Sequence, residues 1–315
     1  MATADTLLSN RDHERFTRQG WVLFVIMGVV WGVPYLLIKV AVEHLSPALI
    51  VFGRTIIAAV PLLAIAVWRG ELRGALAKWP MVLAFAVLEM AIPWVLLTHA
   101  EVHLPSGLTG MLLAVVPLIG ALVAYLLGDR YALRPLRVAG LVIGLIGVGL
   151  LVATDLRGEA PVLAIVEIVI VCIGYAVAPF VASRQLSDVG DIGVVALSLS
   201  MVAVAYAPAA WITRPTARVP GRAWLAVVGL GVVCTLIAFV FFFRLIAAVG
   251  PARATWITFI NPAVAVAVGA VLLDERITVF TVLAFVVISV GLFLGTRGQG
   301  DRVGRSVQVA GSVER

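Results

Sequence analysis

Long apolar segments dominate the chain, and polar residues fall between them at regular intervals. Ten such segments carry few charges, and Pro or Gly stands at or near most of their ends. They cover residues 21–42, 47–68, 79–99, 105–127, 136–153, 161–181, 191–213, 223–245, 252–273 and 277–295. About 20 apolar residues in a helix cross a bilayer, and the alternation that a β-barrel needs is absent. The pattern therefore predicts an all-α membrane protein with ten transmembrane helices.

One part of this pattern occurs twice. Pro117 begins the sequence PLIGALVAYLLGDR, and Pro262 begins PAVAVAVGAVLLDER. The two prolines lie 145 residues apart, and so do Asp129 and Asp274, which follow them after twelve residues. The offset is close to half the chain and predicts two similar halves. A repeat with an odd number of helices inserts in opposite orientations, so the predicted fold is two inverted five-helix repeats.

The polar ends and loops predict how the chain lies in the membrane. Repeats at 21–153 and 161–295 stand between polar tails at 1–20 and 296–315, and we expect the second tail to be disordered. Ten spans place both tails on one side, together with most Lys and Arg residues of the loops. The positive-inside rule predicts that both termini of this multi-pass plasma-membrane protein are cytoplasmic. One loop is an exception, with Arg214, Arg218 and Arg222 on the outer side.

Composition excludes several classes of protein. Of 315 residues, 62% are hydrophobic and 13% are charged, whereas soluble domains are about half apolar and about a quarter charged. The net charge of +6 forms no basic face with aromatic residues, so nucleic acid is not an expected partner. No Walker A, HExxH, CxxC pair or GxSxG sequence occurs, and we expect neither a cofactor nor a metal. Cys172 and Cys234 lie in apolar segments, which predicts buried thiols rather than a disulfide.

The start of the first half carries a family resemblance. WGVPYLLIKVAVEHLSP runs from Trp31 to Pro47 and is followed by Arg54 in VFGRTIIAAVPLL. A Trp-Gly, a Lys, a Pro that opens the second helix and an Arg, in this order, resemble an EamA domain of the drug/metabolite transporter superfamily. Both Pro-to-Asp segments, with the Gly-rich helices after them, resemble the ends of successive EamA domains. The resemblance covers nearly all of residues 21–296.

The resemblance implies a ten-helix, inverted-repeat carrier that exports small metabolites, often amino acids or related compounds, by alternating access. Its partners would be a small-molecule substrate and the lipid bilayer, with protons as a candidate coupling ion, and it would act as a monomer or homodimer. The second half departs from the pattern at its start. There Tyr175 stands near the place of Trp31, Arg184 near that of Lys39, and Arg54 has no plain equivalent.

Four ionisable residues lie within the predicted spans, where a charge costs roughly 2.5–3.5 kcal/mol and usually faces a cavity or a partner. They are Lys39, Arg54, Glu89 and Glu167. Glu89 is ten residues from either end of its span, too deep for its side chain to reach the interface. Two hypotheses stay open for Glu89. It either lines the cavity, where it binds a substrate ammonium or carries a proton, or it forms a structural ion pair with Arg54 or Lys39.

Aromatic and polar residues inside the spans are further candidates for the cavity, although interior aromatics often simply pack. The aromatic candidates are Trp31, Tyr35, Trp94, Tyr175 and Trp256, and Asn261 is the polar one. Trp31 and Tyr35 share a helix face with Lys39, and we interpret this face as lining the cavity. Prolines within the spans predict helix breaks near a transport site. They are Pro34, Pro93, Pro117, Pro179 and Pro262.

The sequence HAEVH places His99 and His103 four residues apart, a spacing that metal ligands use on a helix. Because Glu101 would point away from that face and Pro105 follows at once, we interpret the segment as a short extracellular loop. Solvated loop histidines are then the expected outcome, and a metal site is not.

Two alternatives to a transporter remain open. A membrane-embedded lipid or isoprenoid transferase needs a cluster of Asp, Glu or His near one interface, but the acidic residues of this chain are scattered. A non-transporting membrane scaffold has no need of a charge such as Glu89 at membrane depth. A transporter without enzymatic activity is therefore the leading hypothesis.

Overall fold

The computed structural model describes residues 18–128, 135–155, 162–249 and 257–296. Within them are ten long helices: α1 (Arg18–Val42), α2 (Pro47–Trp68), α3 (Trp79–His103), α4 (Ser106–Leu126), α5 (Pro135–Asp155), α6 (Val162–Gln185), α7 (Asp191–Ile212), α8 (Gly221–Val249), α9 (Ile257–Leu272) and α10 (Val279–Thr296). A short helix, Leu72–Ala77, joins α2 to α3, and these ranges contain no strand. Most of both predicted tails lies outside them.

The helices have the length and surface of membrane spans. Seven of them, α1 to α4 and α6 to α8, are long and apolar enough to cross a membrane. Shorter apolar segments occupy α5, α9 and α10. Large aliphatic side chains such as Val204 and Leu225 are 74% and 72% exposed on the outside of the bundle, where lipid would cover them. The prediction of an all-α membrane protein with ten helices is confirmed.

At one end of the bundle, odd-numbered helices end and even-numbered helices begin. Lys39, near the end of α1, donates to Glu101 O in α3 at 2.7 Å. Ser46, which caps the start of α2, lies 2.6 Å from Thr213 at the end of α7, measured between the hydroxyl oxygens. We call this the Glu101 end. Neighbouring helices therefore run in opposite directions.

The opposite end, which we call the Lys78 end, completes the evidence for inversion. Lys78, just before α3, donates to Gln185 O at the end of α6 at 2.9 Å. It also donates to Asp188, and this hydrogen bond lowers the pKa of the exposed Asp188 carboxyl. Because α6 ends at the Lys78 end and α1 ends at the Glu101 end, the first helices of the two repeats have opposite orientations. The inverted repeat is confirmed.

The two repeats share an irregularity at the same position. α3 changes to a π-helix over Val87–Ala91, and α8 does so over Val232–Ile237. These π segments begin 145 residues apart, which is the offset of the duplicated sequence. Helix packing has the same symmetry: α2 packs along α7, α5 packs along α10, and the contact of α3 with α6 mirrors that of α1 with α8. α3 and α8 are therefore structural counterparts.

Each copy of the duplicated segment ends near a residue with a positive φ. Gly128 has a φ of 98° and Asp274 a φ of 54°, in the left-handed region that Gly adopts freely and Asp tolerates. These two turn residues lie 146 positions apart, not 145. Asp129 lies outside the described residues, so its equivalence with Asp274 stays a prediction.

Close contact between α5 and α10 gives a testable stability prediction. A Cβ atom at Gly291 would lie 2.6 Å from Gly144 Cα and 2.7 Å from Gly140 O, which are backbone atoms that cannot swing aside. We expect Gly291→Ala to destabilise the protein by about 1–3 kcal/mol. Gly149→Ala is the matched control, since its Cβ would meet nothing within 4 Å. Thermal unfolding in detergent should show a lower midpoint for Gly291→Ala alone, and equal midpoints would contradict the prediction.

Candidate functional site

Arg54 of α2 occupies a buried site between α3 and α8. Its side chain is 5% exposed, and the guanidinium carbon stands 3.7 Å from the centroid of the Trp94 ring. Arg54 Nη2 donates to Thr235 Oγ1 at 3.2 Å. Thr235 lies in the π segment of α8 and donates in turn to Leu230 O, five residues earlier, at 2.8 Å. An aromatic face and a hydroxyl group thus hold the buried cation.

Arg54 lacks a neutralising partner. No ion pair of Arg54 is formed among the described residues, and its Nε is buried without a hydrogen bond. Buried polar groups nearly always have a partner, and a buried charge left unpaired is strongly destabilising. The guanidinium is therefore suited to receive an anionic group.

Glu89 lies in the π segment of α3, the counterpart of the α8 segment that holds Arg54. Its side chain is half-buried and interacts electrostatically with Tyr175 of α6. Within the described ranges, Arg54 and Lys39 both bond elsewhere and neither pairs with Glu89. The structural ion pair that was one hypothesis for Glu89 is thus not formed in this conformation.

Lys39 ties α1 to the junction of α3 and α4. Its Nζ donates to Glu101 O at 2.7 Å and to Leu104 O at 3.0 Å. The last carbonyl groups of a helix have no partner within the helix and carry partial negative charge, so an ammonium group caps them well. In this conformation the Lys39 ammonium is bound to helix carbonyl groups, and the role of its face in lining a cavity stays a prediction.

The other two residues of that face also contact helices. The Trp31 ring centroid lies 4.6 Å from that of Phe242 and 6.3 Å from that of Phe239, both in α8. Tyr35 is 9% exposed, and its ring packs against Gly110 of α4. A Cβ atom placed on Gly110 would lie 3.5 Å from the Tyr35 ring. The face thus mediates contacts of α1 with α8, α4 and α3.

The HAEVH segment is helical, not a loop. α3 continues through His103, so the predicted end of this span is wrong by four residues. His99 Nδ1 lies 2.8 Å from Oε1 and 3.0 Å from Oε2 of Glu167 in α6. Glu167 therefore has an ionisable partner and is 7% exposed. The described part of the chain holds no group of three or more His, Cys, Asp or Glu placed to bind a metal.

Glu101 is a buried acid that the sequence interpretation missed. Its side chain is 0% exposed, and neither carboxylate oxygen has a hydrogen bond. The loop assignment hid it, because a charged residue beside two histidines and a proline resembles a solvent-exposed turn. The available signal was the helical spacing of Leu97 and Glu101, which places both on one face of α3.

Glu275, in the connection between α9 and α10, caps the start of α4. Its Oε1 accepts from Ser106 N at 2.7 Å and its Oε2 accepts from Gly107 N at 3.0 Å. A carboxylate on the free N–H groups of a helix start is a favourable arrangement. The contact holds the second repeat against the first at the Glu101 end.

Asn261 joins α9 to α1. With its amide nitrogen oriented to donate, Asn261 lies 3.0 Å from Gly28 O and 3.0 Å from Ile257 O. The helices approach closely here, since a Cβ at Gly32 would lie 2.5 Å from Val264 Cγ1. The Asn261 side chain thus bonds between helices, and Trp256, another predicted cavity residue, lies outside the described residues.

The prolines differ in their effect on the helices. Pro34 follows a non-helical residue, Pro93 follows the π segment of α3, and Pro117 follows a 3₁₀ turn in α4. α6 and α9 run without interruption through Pro179 and Pro262. The predicted breaks are therefore not formed at those two positions, where the proline removes one hydrogen bond and the helix continues.

Ten helices in two inverted repeats, with buried charges between them, define an integral membrane transporter. The chain matches the model of the EamA-like transporter family twice, over residues 18–153 and 162–297. Together these matches include most of the chain, so the protein belongs to the EamA-like transporter family.

Relatives extend over nearly the whole chain. The uncharacterized inner membrane transporter YedA of Escherichia coli K12 is 30% identical over 281 residues, 86% of this chain and 88% of YedA. The uncharacterized transporter YvbV of Bacillus subtilis is 23% identical and covers 82% of this chain and 85% of YvbV. Protein PagO of Salmonella typhimurium is 23% identical and covers 87% and 91%. One solved crystal structure, 22% identical, superposes with a TM-score of 0.64 over 88% of this chain and 96% of that chain, which confirms the fold alone.

Proposed function

We propose that the protein is a secondary-active carrier that exports small metabolites, such as amino acids or related compounds, by alternating access. The observation that carries this proposal is the pair of π segments at equivalent positions of α3 and α8. Such segments are frequent at functional sites. Here one bears Glu89 and the other bears Thr235, the partner of Arg54. Transporters of inverted repeats bind substrate between the repeats near the bilayer midplane.

The charges of this region match a zwitterionic solute. Arg54 keeps an unpaired Nε for a substrate carboxylate, and Glu89 is available for a substrate ammonium. Tyr175 interacts electrostatically with both residues, and Trp94 packs against the guanidinium. Aromatic rings beside an anion-binding and a cation-binding group would accept the side chain of an amino acid.

The two ends of the bundle differ in the contact made by Lys39. At the Glu101 end, Lys39 bonds to the end of α3. Arg184 stands 145 residues further along the chain, in the equivalent position of α6, and is exposed. Because the positive-inside rule puts both termini in the cytoplasm, the closed Glu101 end is assigned to the outer side and the site opens inward. Protons are the proposed coupling ion, and the carrier acts as a monomer or homodimer.

A transport assay tests this proposal. A metabolite survey of medium from overexpressing and deletion cells would identify compounds that the cells release in proportion to the protein. Purified protein in liposomes is then expected to move the identified compound down its gradient. Absence of flux for every amino acid, nucleobase and drug tried would count decisively against a carrier.

Glu89→Gln is expected to lower transport by about tenfold or more, because a hydrogen bond to a charged group contributes about 1.5–3 kcal/mol. The loss should appear mainly as a higher KM for a substrate that carries an ammonium group. Glu43→Gln is the matched control, since Glu43 is exposed and pairs with Arg222 at 2.9 Å on the surface. Liposome flux from pH 6 to pH 8 would be compared. Normal transport with unchanged pH dependence would show that Glu89 neither binds substrate nor carries a proton.

A further inference from the structure

Glu101 and Ser106 form a buried polar site that the proposed cavity does not use. Both side chains are 0% exposed at the junction of α3 and α4. Neither oxygen of the Glu101 carboxylate has a hydrogen bond, nor does Ser106 Oγ. An ionised carboxylate is very unfavourable without water, hydrogen bonds or a paired charge. This conformation therefore favours the neutral acid over the carboxylate.

The charged and titratable groups that face Glu101 come from several elements. Lys39 and Tyr35 of α1, Arg54 of α2, and Glu275 of the connection between α9 and α10 interact with it electrostatically. On the α6 side, Glu167 is occupied by His99. Among the described residues, no ion pair within 4.0 Å includes the Glu101 carboxylate.

The nearby charges are engaged by backbone groups. Lys39 Nζ bonds to the carbonyl oxygens of Glu101 and Leu104, and both oxygens of Glu275 accept from the N–H groups that begin α4. Lys39 thus interacts electrostatically with the Glu101 carboxylate, while its hydrogen bonds go to the neighbouring carbonyl oxygens.

We propose that Glu101 is a proton-binding site that holds the Glu101 end of the carrier closed. With the proton bound, Lys39 caps α3 and ties α1 to the junction. When the carboxyl group releases its proton to water, Lys39 Nζ pairs with the carboxylate within α3 and gives up its bond to Leu104 O at the junction, so that α1 separates from α4. The inference rests on the proposed alternating access and adds a coupling group to it.

A proton fits this site better than a metal cation. Lys39 and Arg54 carry positive charge nearby and repel a metal ion. A metal ion also needs several oxygen ligands, whereas the oxygens of Glu275 are already bonded. A proton occupies no volume and removes the repulsion between Glu101 and Glu275.

Cysteine accessibility tests the proposal without any substrate. Ala41, two residues beyond Lys39, is fully buried, and Thr216 in the loop after α7 is exposed. Ala41→Cys and Thr216→Cys would be labelled with a maleimide in lipid nanodiscs, where both faces meet the reagent and orientation does not matter. The labelling rate of Ala41→Cys is divided by the labelling rate of Thr216→Cys. This ratio corrects for the intrinsic pH dependence of thiol reactivity. Protein with only the buried Cys172 and Cys234 gives the background.

We expect this ratio to rise with pH, by up to about tenfold per pH unit where Glu101 titrates, because opening is linked to loss of one proton. Glu101→Gln cannot lose a proton and should keep the low ratio at every pH. Lys39→Met, without the ammonium cap, should give a high ratio at every pH. Glu43→Gln should retain the parent profile.

Two results would overturn the inference: a parent ratio that does not change with pH, or a Glu101→Gln ratio that rises as the parent does. If Glu101→Gln does not fold, Lys39→Met provides the test. A low labelling ratio at every pH in Lys39→Met would contradict the proposed role of Lys39 as a cap on α3. Failure of the carrier proposal is separately visible. If labelling of Ala41→Cys depends on pH but the protein shows no flux in liposomes, the carrier proposal is refuted. If flux occurs but labelling does not depend on pH, the role of Glu101 is refuted.

Discussion

Arg54→Lys is expected to lower the initial transport rate by about 100-fold or more. Lysine keeps the charge but lacks the planar group that stacks on Trp94, bonds to Thr235 and still offers an N–H to the substrate. A desolvated cation–π contact contributes about 2 kcal/mol, and a charged hydrogen bond contributes about 1.5–3 kcal/mol. Together they exceed the roughly 2.7 kcal/mol that a 100-fold change represents.

The measurement is liposome flux of the compound found by the metabolite survey. Arg222→Lys is the control, because Arg222 lies on the surface with its side chain 64% exposed and pairs with Glu43. The control should transport as the parent does, and both variants should elute as folded protein in size-exclusion chromatography. Equal flux in Arg54→Lys and the parent would show that the guanidinium geometry is not used in transport.

Glu275→Ala is expected to produce the largest loss of stability. The substitution leaves the N–H groups of Ser106 and Gly107 without acceptors at the start of α4. Each unsatisfied buried group costs about 1–3 kcal/mol. Glu275→Gln keeps one acceptor oxygen and should lose less.

Thermal unfolding in nanodiscs provides the measurement. Arg276→Ala, at the exposed neighbouring position, is the control and should unfold at the parent temperature. We expect the order of midpoints to be parent, Glu275→Gln, Glu275→Ala. An unchanged midpoint for Glu275→Ala would mean that water replaces the carboxylate at no cost, and the contact would then have no structural role.

The helices could be predicted from the sequence because an apolar segment of sufficient length is a local property of the chain. Seven of the ten predicted spans end within two residues of the observed helices, whereas α3, α6 and α8 each continue four residues further. The last four residues of α3 include Glu101 and His103, and they are helical because Glu101 is buried and His99 pairs with Glu167. These partners lie on other helices, so no local pattern reveals them.

The candidate site was only partly predictable. Depth within a span identified Arg54 and Glu89 as unusual, since charges at that depth are unfavourable wherever they point. The partner of Arg54 is Thr235, 181 residues away, a contact that only the packing of α2 against α8 creates. Lys39 bonds to backbone oxygens, which every residue has, so its role carries no sequence signal at all.

Helical periodicity has a similar limit. It predicts that Trp31, Tyr35 and Lys39 share one face, but it does not say what that face contacts. The π segment of α8 could not be predicted from the sequence either. In α3, Pro93 follows the π segment, whereas no proline follows the π segment within α8. Only the offset between the repeats relates the two segments.

The lengths of the paired helices have a consequence for the surrounding lipid. α2 and α7, with 22 residues each, are about 33 Å long at the α-helical rise, close to the roughly 30 Å thickness of the hydrocarbon core. α3 and α8, with 25 and 29 residues, reach about 37 and 43 Å. Such helices tilt or project beyond the core. Stretching or thinning the membrane would therefore act on the two counterparts that carry the π segments, and so on Glu89 and the partner of Arg54.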